Sequence, residues 1–128
     1  MDNGLPDEAR LVALVGVSDI ERADAFYGGA LGLRLLESSS FANLYEAHGG
    51  RLRVTRVDEP VRAPYTVLGW EVSDMVAALD DLARSGLEPQ RFDGVEQDAR
   101  GVWTAPGGTR VAWFHDPDGN VVSLSQRP

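Results

Sequence analysis

At 128 residues with 43% hydrophobic side chains, the chain is sized for one domain that can bury its own core. Twelve basic against twenty acidic residues leave a net charge of −8, which argues against a nucleic-acid backbone or an anionic membrane as partner and mildly favours a neutral or cationic ligand. No cysteine is present, so disulfides, thiolate metal sites and a cysteine nucleophile are excluded together, and any metal must use histidine or carboxylate.

The first ten residues carry Asp2, Pro6, Asp7 and Glu8 without an apolar run, so no signal peptide is expected there. No later stretch reaches membrane-spanning length, and a cytoplasmic protein is the expectation. From Leu11 to Val17 the chain is apolar and valine-rich, as a buried strand should be, and it stops at Ser18-Asp19. Ser18 with Glu21 has the spacing of a capping box, in which each side chain satisfies a backbone N–H of the first helical turn. Ile20, Ala23, Tyr27 and Leu31 then recur at helical spacing, while Gly28 and Gly29 should end that helix early. Strand-like pieces follow at Leu33–Glu37, Phe41–Ala47 and Arg51–Val57, the last two joined by His48-Gly49-Gly50. Residues 58–64, with two prolines and three charged side chains, read as a linker.

The same order then returns. Tyr65–Val72 reads as a strand, Ser73-Asp74 follows, and Met75, Val76, Leu79 and Leu82 make an apolar stripe ending at Gly86. Val17-Ser18-Asp19 answers Val72-Ser73-Asp74 at an offset of 55, and Gly32-Leu33 answers Gly86-Leu87 at an offset of 54. A strand, a cap, a helix and a Gly-Leu exit repeated in one order indicate duplication. Further strands are expected at Glu88–Phe92, Thr109–His115 and Asn120–Gln126, the last two joined by Asp116-Pro117-Asp118-Gly119. Residues 93–108 hold Trp103 and show no period. The expected fold is α+β: two βαβββ modules, 11–57 and 65–126, in a single domain with curved mixed sheets around a cavity.

Val17-Ser18-Asp19, Ala25-Phe26-Tyr27, Leu31-Gly32-Leu33 and Asp116-Pro117-Asp118-Gly119-Asn120, in this order on a duplicated frame, resemble the vicinal oxygen chelate superfamily over Leu11–Gln126. That superfamily includes glyoxalase I, extradiol dioxygenases, fosfomycin resistance enzymes and bleomycin resistance proteins. The resemblance implies curved sheets enclosing a cavity, commonly within a homodimer, and in the enzymes a divalent metal held by His or Glu on inward faces of four strands. Carried onto this sequence, those positions are Val12, Val67, Ser123 and either Arg53 or Thr55. None is an imidazole or a carboxylate, the donors such a metal requires, so no metal and no cofactor are expected.

Strand alternation puts Leu14, Gly16, Gly69, Glu71, Val121 and Ser125 on the same inward face, and Val111, Trp113 and His115 on that of a neighbouring strand. The set is mainly small and apolar with a few polar groups, the make-up of a small-molecule pocket. Trp113 is a stacking candidate for a planar or cationic ligand. An inward Arg53 would be costly in an apolar cavity unless it met a ligand anion, Glu71 or Glu46. Trp103 and Tyr65 suit a cavity mouth or a dimer seam. Two functions compete: a metal-independent homodimer that binds or sequesters a small molecule of aromatic or cationic character; and a lyase- or dioxygenase-like enzyme using either a rearranged metal site or His115 and Glu71 as an acid–base pair.

Overall fold

The computed structural model of the chain describes residues 4–128. Strand β1 (Val12–Val17) leads into helix α1 (Ile20–Asp24), which is capped by Asp19. Asp19 is the residue with extended backbone at the helix entrance, and its carboxylate accepts the Arg22 N–H at 3.0 Å. The expected Ser18–Glu21 box therefore gives way to a cap one residue later. Ser18 turns instead to the other half of the chain: its backbone N–H and hydroxyl donate to the two carboxylate oxygens of Asp118 at 3.0 and 2.7 Å.

Beyond Asp24 the helix does not stop at the glycines but widens into a π-helical turn over Ala25–Ala30, closed by Leu31 N–H on Phe26 C=O at 2.8 Å. Gly28 makes room in that turn, because a Cβ there would stand 2.5 Å from the Asp24 carboxylate. Gly32 ends the turn at φ 70°, and its counterpart Gly86 follows the second helix at φ 81°, a left-handed conformation open to glycine without strain.

Strands β2 (Arg34–Ser38), β3 (Ala42–Glu46) and β4 (Arg51–Arg56) complete the first module, whose sheet order is β1-β4-β3-β2 with β1 and β4 parallel. The second module repeats the plan with β5 (Thr66–Glu71), α2 (Met75–Ala83), β6 (Trp103–Thr104), β7 (Arg110–His115) and β8 (Val121–Gln126), in sheet order β5-β8-β7-β6. Asp74 caps α2 as Asp19 caps α1, accepting the Ala77 N–H at 3.1 Å.

The strand expected at Glu88–Phe92 does not form. Pro89 has no N–H to give a ladder, and only the Gln90 N–H reaches β7, on Trp113 C=O at 2.7 Å. The Gln97 side chain ties this stretch down, bonding Phe92 N–H, Gln90 C=O and Gly101 C=O. The edge position falls to the two-residue β6, inside the segment whose sequence has no period.

One face of each sheet is covered. Val15, Val17, Tyr45, Leu52 and Val54 pack with Ala23, Phe26 and Tyr27, and Val122 joins them from the second sheet. Ala112, Phe114 and Leu124 pack with Met75, Leu79 and Val102, and Trp70 touches both clusters while its indole N–H donates to Ala47 C=O at 3.0 Å. Alternation thus divides the strands as the sequence indicates.

Two buried tyrosine hydroxyls belong to this core. Tyr45 donates to Asp24 at 2.5 Å and accepts from Asn43 at 3.1 Å; burial, followed by the bond to Asp24, pushes its pKa up to about 12. Burial and then Asp116 push Tyr27 up as well. The native state therefore holds these protons to higher pH than the unfolded chain, whose tyrosines titrate near 10. Their contribution to stability is complete below pH ~10 and is lost as pH rises through the folded values. Urea midpoints measured between pH 8 and 11.5 should fall steeply above 10, and Tyr45→Phe should flatten that fall; an unchanged slope in the variant would count against this origin.

Candidate ligand-binding face

The opposite, concave faces of the sheets carry the sequence-derived site residues. On the first sheet the cross-strand rows are Val12–Arg51–Glu46, Leu14–Arg53–Leu44 and Gly16–Thr55–Ala42. On the second they are Gly69–Ser123–Trp113 and Glu71–Ser125–Val111, with His115 opposite Val121. Between Thr66, opposite Val121, and Leu68, opposite Val122, the register shifts by one residue, as at a β-bulge, and leaves Val67 without a register partner. This face is open within one chain: Val12, Leu14 and Val67 are 44, 64 and 40% exposed.

The repeat bears on the choice between Arg53 and Thr55. Leu14 corresponds to Gly69 at the offset of 55; Leu14 pairs with Arg53 as Gly69 pairs with Ser123, so Arg53 is the counterpart of Ser123. The four positions that the family resemblance assigns to metal ligands are then Val12, Arg53, Val67 and Ser123. Two alkyl groups, a guanidinium and a neutral hydroxyl do not fit a divalent cation. Among the described residues no three His, Asp or Glu side chains gather where they would hold one. Gly69 is small for a packing reason: a Cβ there would stand 2.8 Å from Ser123 Oγ and 3.3 Å from its carbonyl oxygen.

Aromatic side chains dominate the concave face of the second sheet. Trp103 on β6 and Trp113 on β7 lie 5.9 Å apart at 30°, and Phe92 meets Trp113 edge-on at 5.6 Å and His115 at 6.0 Å. Trp113, His115, Phe92, Val95 and Val121 form one wall of a cavity of about 620 Å³, and Arg62, Ala63, Pro64, Tyr65, Thr66 and Gly119 form the other. The linker thus contributes to the site. Arg62 is fixed there because its Nε donates to Asp118 C=O at 2.8 Å. Tyr65 is among the lining residues.

The structure gathers Val67, Val121, Ser123, Trp113 and His115 on one sheet and Val12, Leu14, Arg53 and Thr55 on the other, with Val111 farther along the second. It does not bring His115 and Glu71 together. They lie opposite Val121 and Ser125, four residues apart along β8, about 13 Å of strand. Glu71 is instead bonded by Arg127 Nε at 2.9 Å. Sequence reasoning missed Arg62 and Phe92 as lining residues, because neither lies in a periodic element. A cluster of aromatics around an irregular segment was the available signal.

A second cavity, of about 420 Å³, opens on the helix side between Leu31, Leu33, His48, Trp70, Val72, Ala78, Leu82 and Leu124, with Glu71 and Asp81 also lining it. It shares only Glu71 with the concave residues. Among the described residues no helix is long and apolar enough to cross a membrane.

Two βαβββ modules with a covered helical face and an open concave one define a class of duplicated α+β folds. Within it, the chain belongs to the glyoxalase/bleomycin resistance protein/dioxygenase superfamily, whose family model matches residues 10–124. None of the curated proteins matches the sequence. Among solved structures, a glyoxalase family protein from Bacillus anthracis is similar at 16% identity and a TM-score of 0.74, over 100% of both chains. TioX from Micromonospora sp. ML1 is similar at 18% identity and a TM-score of 0.69, covering 94% of this chain and 99% of its own. Lactoylglutathione lyase from Agrobacterium tumefaciens is similar at 18% identity and a TM-score of 0.63, covering 94% of this chain and 95% of its own. At these identities the likeness is one of fold.

Proposed function

We propose that this protein is a metal-independent, cytoplasmic small-molecule-binding protein of the glyoxalase/bleomycin resistance type, which holds a planar aromatic compound against the Trp113 wall. The observation that carries this reading is the pairing of an aromatic-lined cavity of about 620 Å³ with metal-ligand positions occupied by Val12, Arg53, Val67 and Ser123. Such a volume suits a drug-sized molecule, and aromatic walls with a few polar groups suit a flat one. Against the metal-free enzyme reading stands the separation of Glu71 and His115 within one chain, about 13 Å of strand.

The same reading makes the protein a homodimer. Val12, Leu14, Val67 and Tyr65 leave apolar surface open on the concave side, and a second copy standing over it would enclose it as a groove with room for a ligand. Sedimentation velocity at micromolar concentration should give twice the chain mass.

Two measurements test the function. Protein purified without chelator should carry less than about a tenth of an equivalent of any transition metal, since no donor set of the required kind is present among the described residues. Isothermal titration against a panel of aromatic antibiotics, cationic and neutral, should find at least one binder. Stoichiometric metal, or a panel without a binder at high protein concentration, overturns the reading.

A further inference from the structure

Net charge misdescribes the concave face of the first sheet. Arg51 and Arg53 are alternate residues of β4, so both project on that face, about 6.6 Å apart along the strand. Arg53 is exposed and stands between Leu14 and Leu44, its register partners on β1 and β3. An arginine there has three ways to be compensated: Glu46, Glu71, or an anion brought from outside. Glu71 is held by Arg127. Glu46 is opposite Arg51 in register, and neither arginine forms an ion pair with it or with any other carboxylate among the described residues. Neither guanidinium is taken up by a carboxylate among the described residues, so exposed Arg53, hydrated in the free chain, has donors to give to an anion brought from outside.

We infer that Arg53, with Arg51 beside it, is an oxyanion-recognising site on the first sheet, and that the molecule it takes is a small organic acid with an apolar body. A guanidinium presents a planar fork of N–H donors that matches a carboxylate in two parallel bonds. Leu14, 64% exposed, and Val12, 44% exposed, offer apolar surface beside that fork for the rest of the molecule. The guanidinium thus supplies positive charge at a position where the superfamily's enzymes are expected to contribute a metal ligand. This site stands on observations separate from the aromatic cavity and does not require it.

The test uses the full chain, 2-naphthoate, and its neutral isostere 2-naphthamide, followed by two-dimensional ¹H–¹⁵N NMR that resolves the backbone amides of β4, the arginine Nε–H groups and the tryptophan indoles. Naphthoate should move the signals of Arg51 and Arg53 and bind more tightly than naphthamide. Arg53→Met should weaken naphthoate by about tenfold or more while leaving naphthamide unchanged, and Arg53→Lys should restore part of the difference. Both substitutions are on an exposed strand position, and thermal melts of each variant check that folding is kept. Equal binding of acid and amide, no shift at Arg53 up to millimolar naphthoate, or a dimer that dissociates in Arg53→Met because the anion was a carboxylate of a second copy, each overturns the inference. Shifts confined to the tryptophan indoles would sustain the aromatic cavity while removing the oxyanion site; shifts confined to β4 would do the reverse.

Discussion

Replacing Asp116 by alanine is expected to remove roughly 3–5 kcal/mol of stability, the largest loss of any single substitution considered for this chain. Asp116 is 4% exposed, and its carboxylate is the acceptor for four donors: the Tyr27 hydroxyl at 2.7 Å, the Asn120 amide at 2.8 Å, and the backbone N–H groups of Asp118 and Asn120, each at 2.9 Å. Two of these bonds shape the turn between β7 and β8, and the bond from Tyr27 crosses from the first module to the second. Asn120, oriented by the same carboxylate, adds a bond to Gly16 C=O at 3.0 Å. Alanine would leave buried donors without acceptors, and each such donor costs about 1–3 kcal/mol. The Tyr27→Phe variant deletes only the cross-module bond and should cost less, on the order of 1–2 kcal/mol. Urea unfolding of the two variants separates the turn from the tie between modules. If Asp116→Ala shifts the free energy by no more than a surface substitution, the carboxylate does not organise the junction.

The second large effect is on binding. Trp113→Ala removes the central ring of the aromatic wall and should weaken an aromatic ligand by about 2 kcal/mol, or about thirtyfold. Trp113 is partly exposed, so its indole face is available to a ligand. The stability cost should be smaller than that of a core tryptophan, because the buried cluster beneath β7 is built on Ala112 and Phe114, which point the other way. Titration of a binder identified in the panel, with Trp103→Phe as a second variant, checks the assignment. Loss at Trp113 with near-retention at Trp103→Phe is the expected pattern, since phenylalanine still stacks. Equal affinity in wild type and Trp113→Ala would place the ligand elsewhere.

How much of this was legible in the sequence follows the range of the interactions involved. Strands β1, β4, β5, β7 and β8 lie within a residue or two of their expected bounds, because each is a contiguous run whose alternating faces differ in polarity. Alternation is a local property, and it also separated the face of Ala13, Val15 and Leu124 from that of Val12, Leu14 and Ser123. The family resemblance was legible for the same reason, since its motifs are caps and turns set by neighbouring residues. Where two local solutions competed, the reading slipped. Ser18 and Asp19 can both cap a helix, and the choice was made by Asp118, a hundred residues away, which takes both donors of Ser18. Glu88–Phe92 has strand-like residues, but only Gln90 bonds β7, at Trp113, while Trp103 and Thr104 from the irregular segment pair with Val111 and Arg110.

By itself the sequence determined that the chain is acidic, cysteine-free and a duplicated α+β fold with the motifs of its superfamily, and it gave rise to the expectation that Val12, Val67, Ser123 and a residue of β4 stand where metal ligands would be. These are statements about composition, period and residue identity, which need no third dimension. Tertiary structure alone decided that Arg53 rather than Thr55 stands opposite Leu14 as Ser123 stands opposite Gly69, that about 13 Å of strand separates His115 from Glu71, and that Phe92 and Arg62 join Trp113 around a cavity. Those outcomes depend on strand register and on the path of irregular segments. Both are set by contacts between residues distant in the chain, whose energies no local window contains.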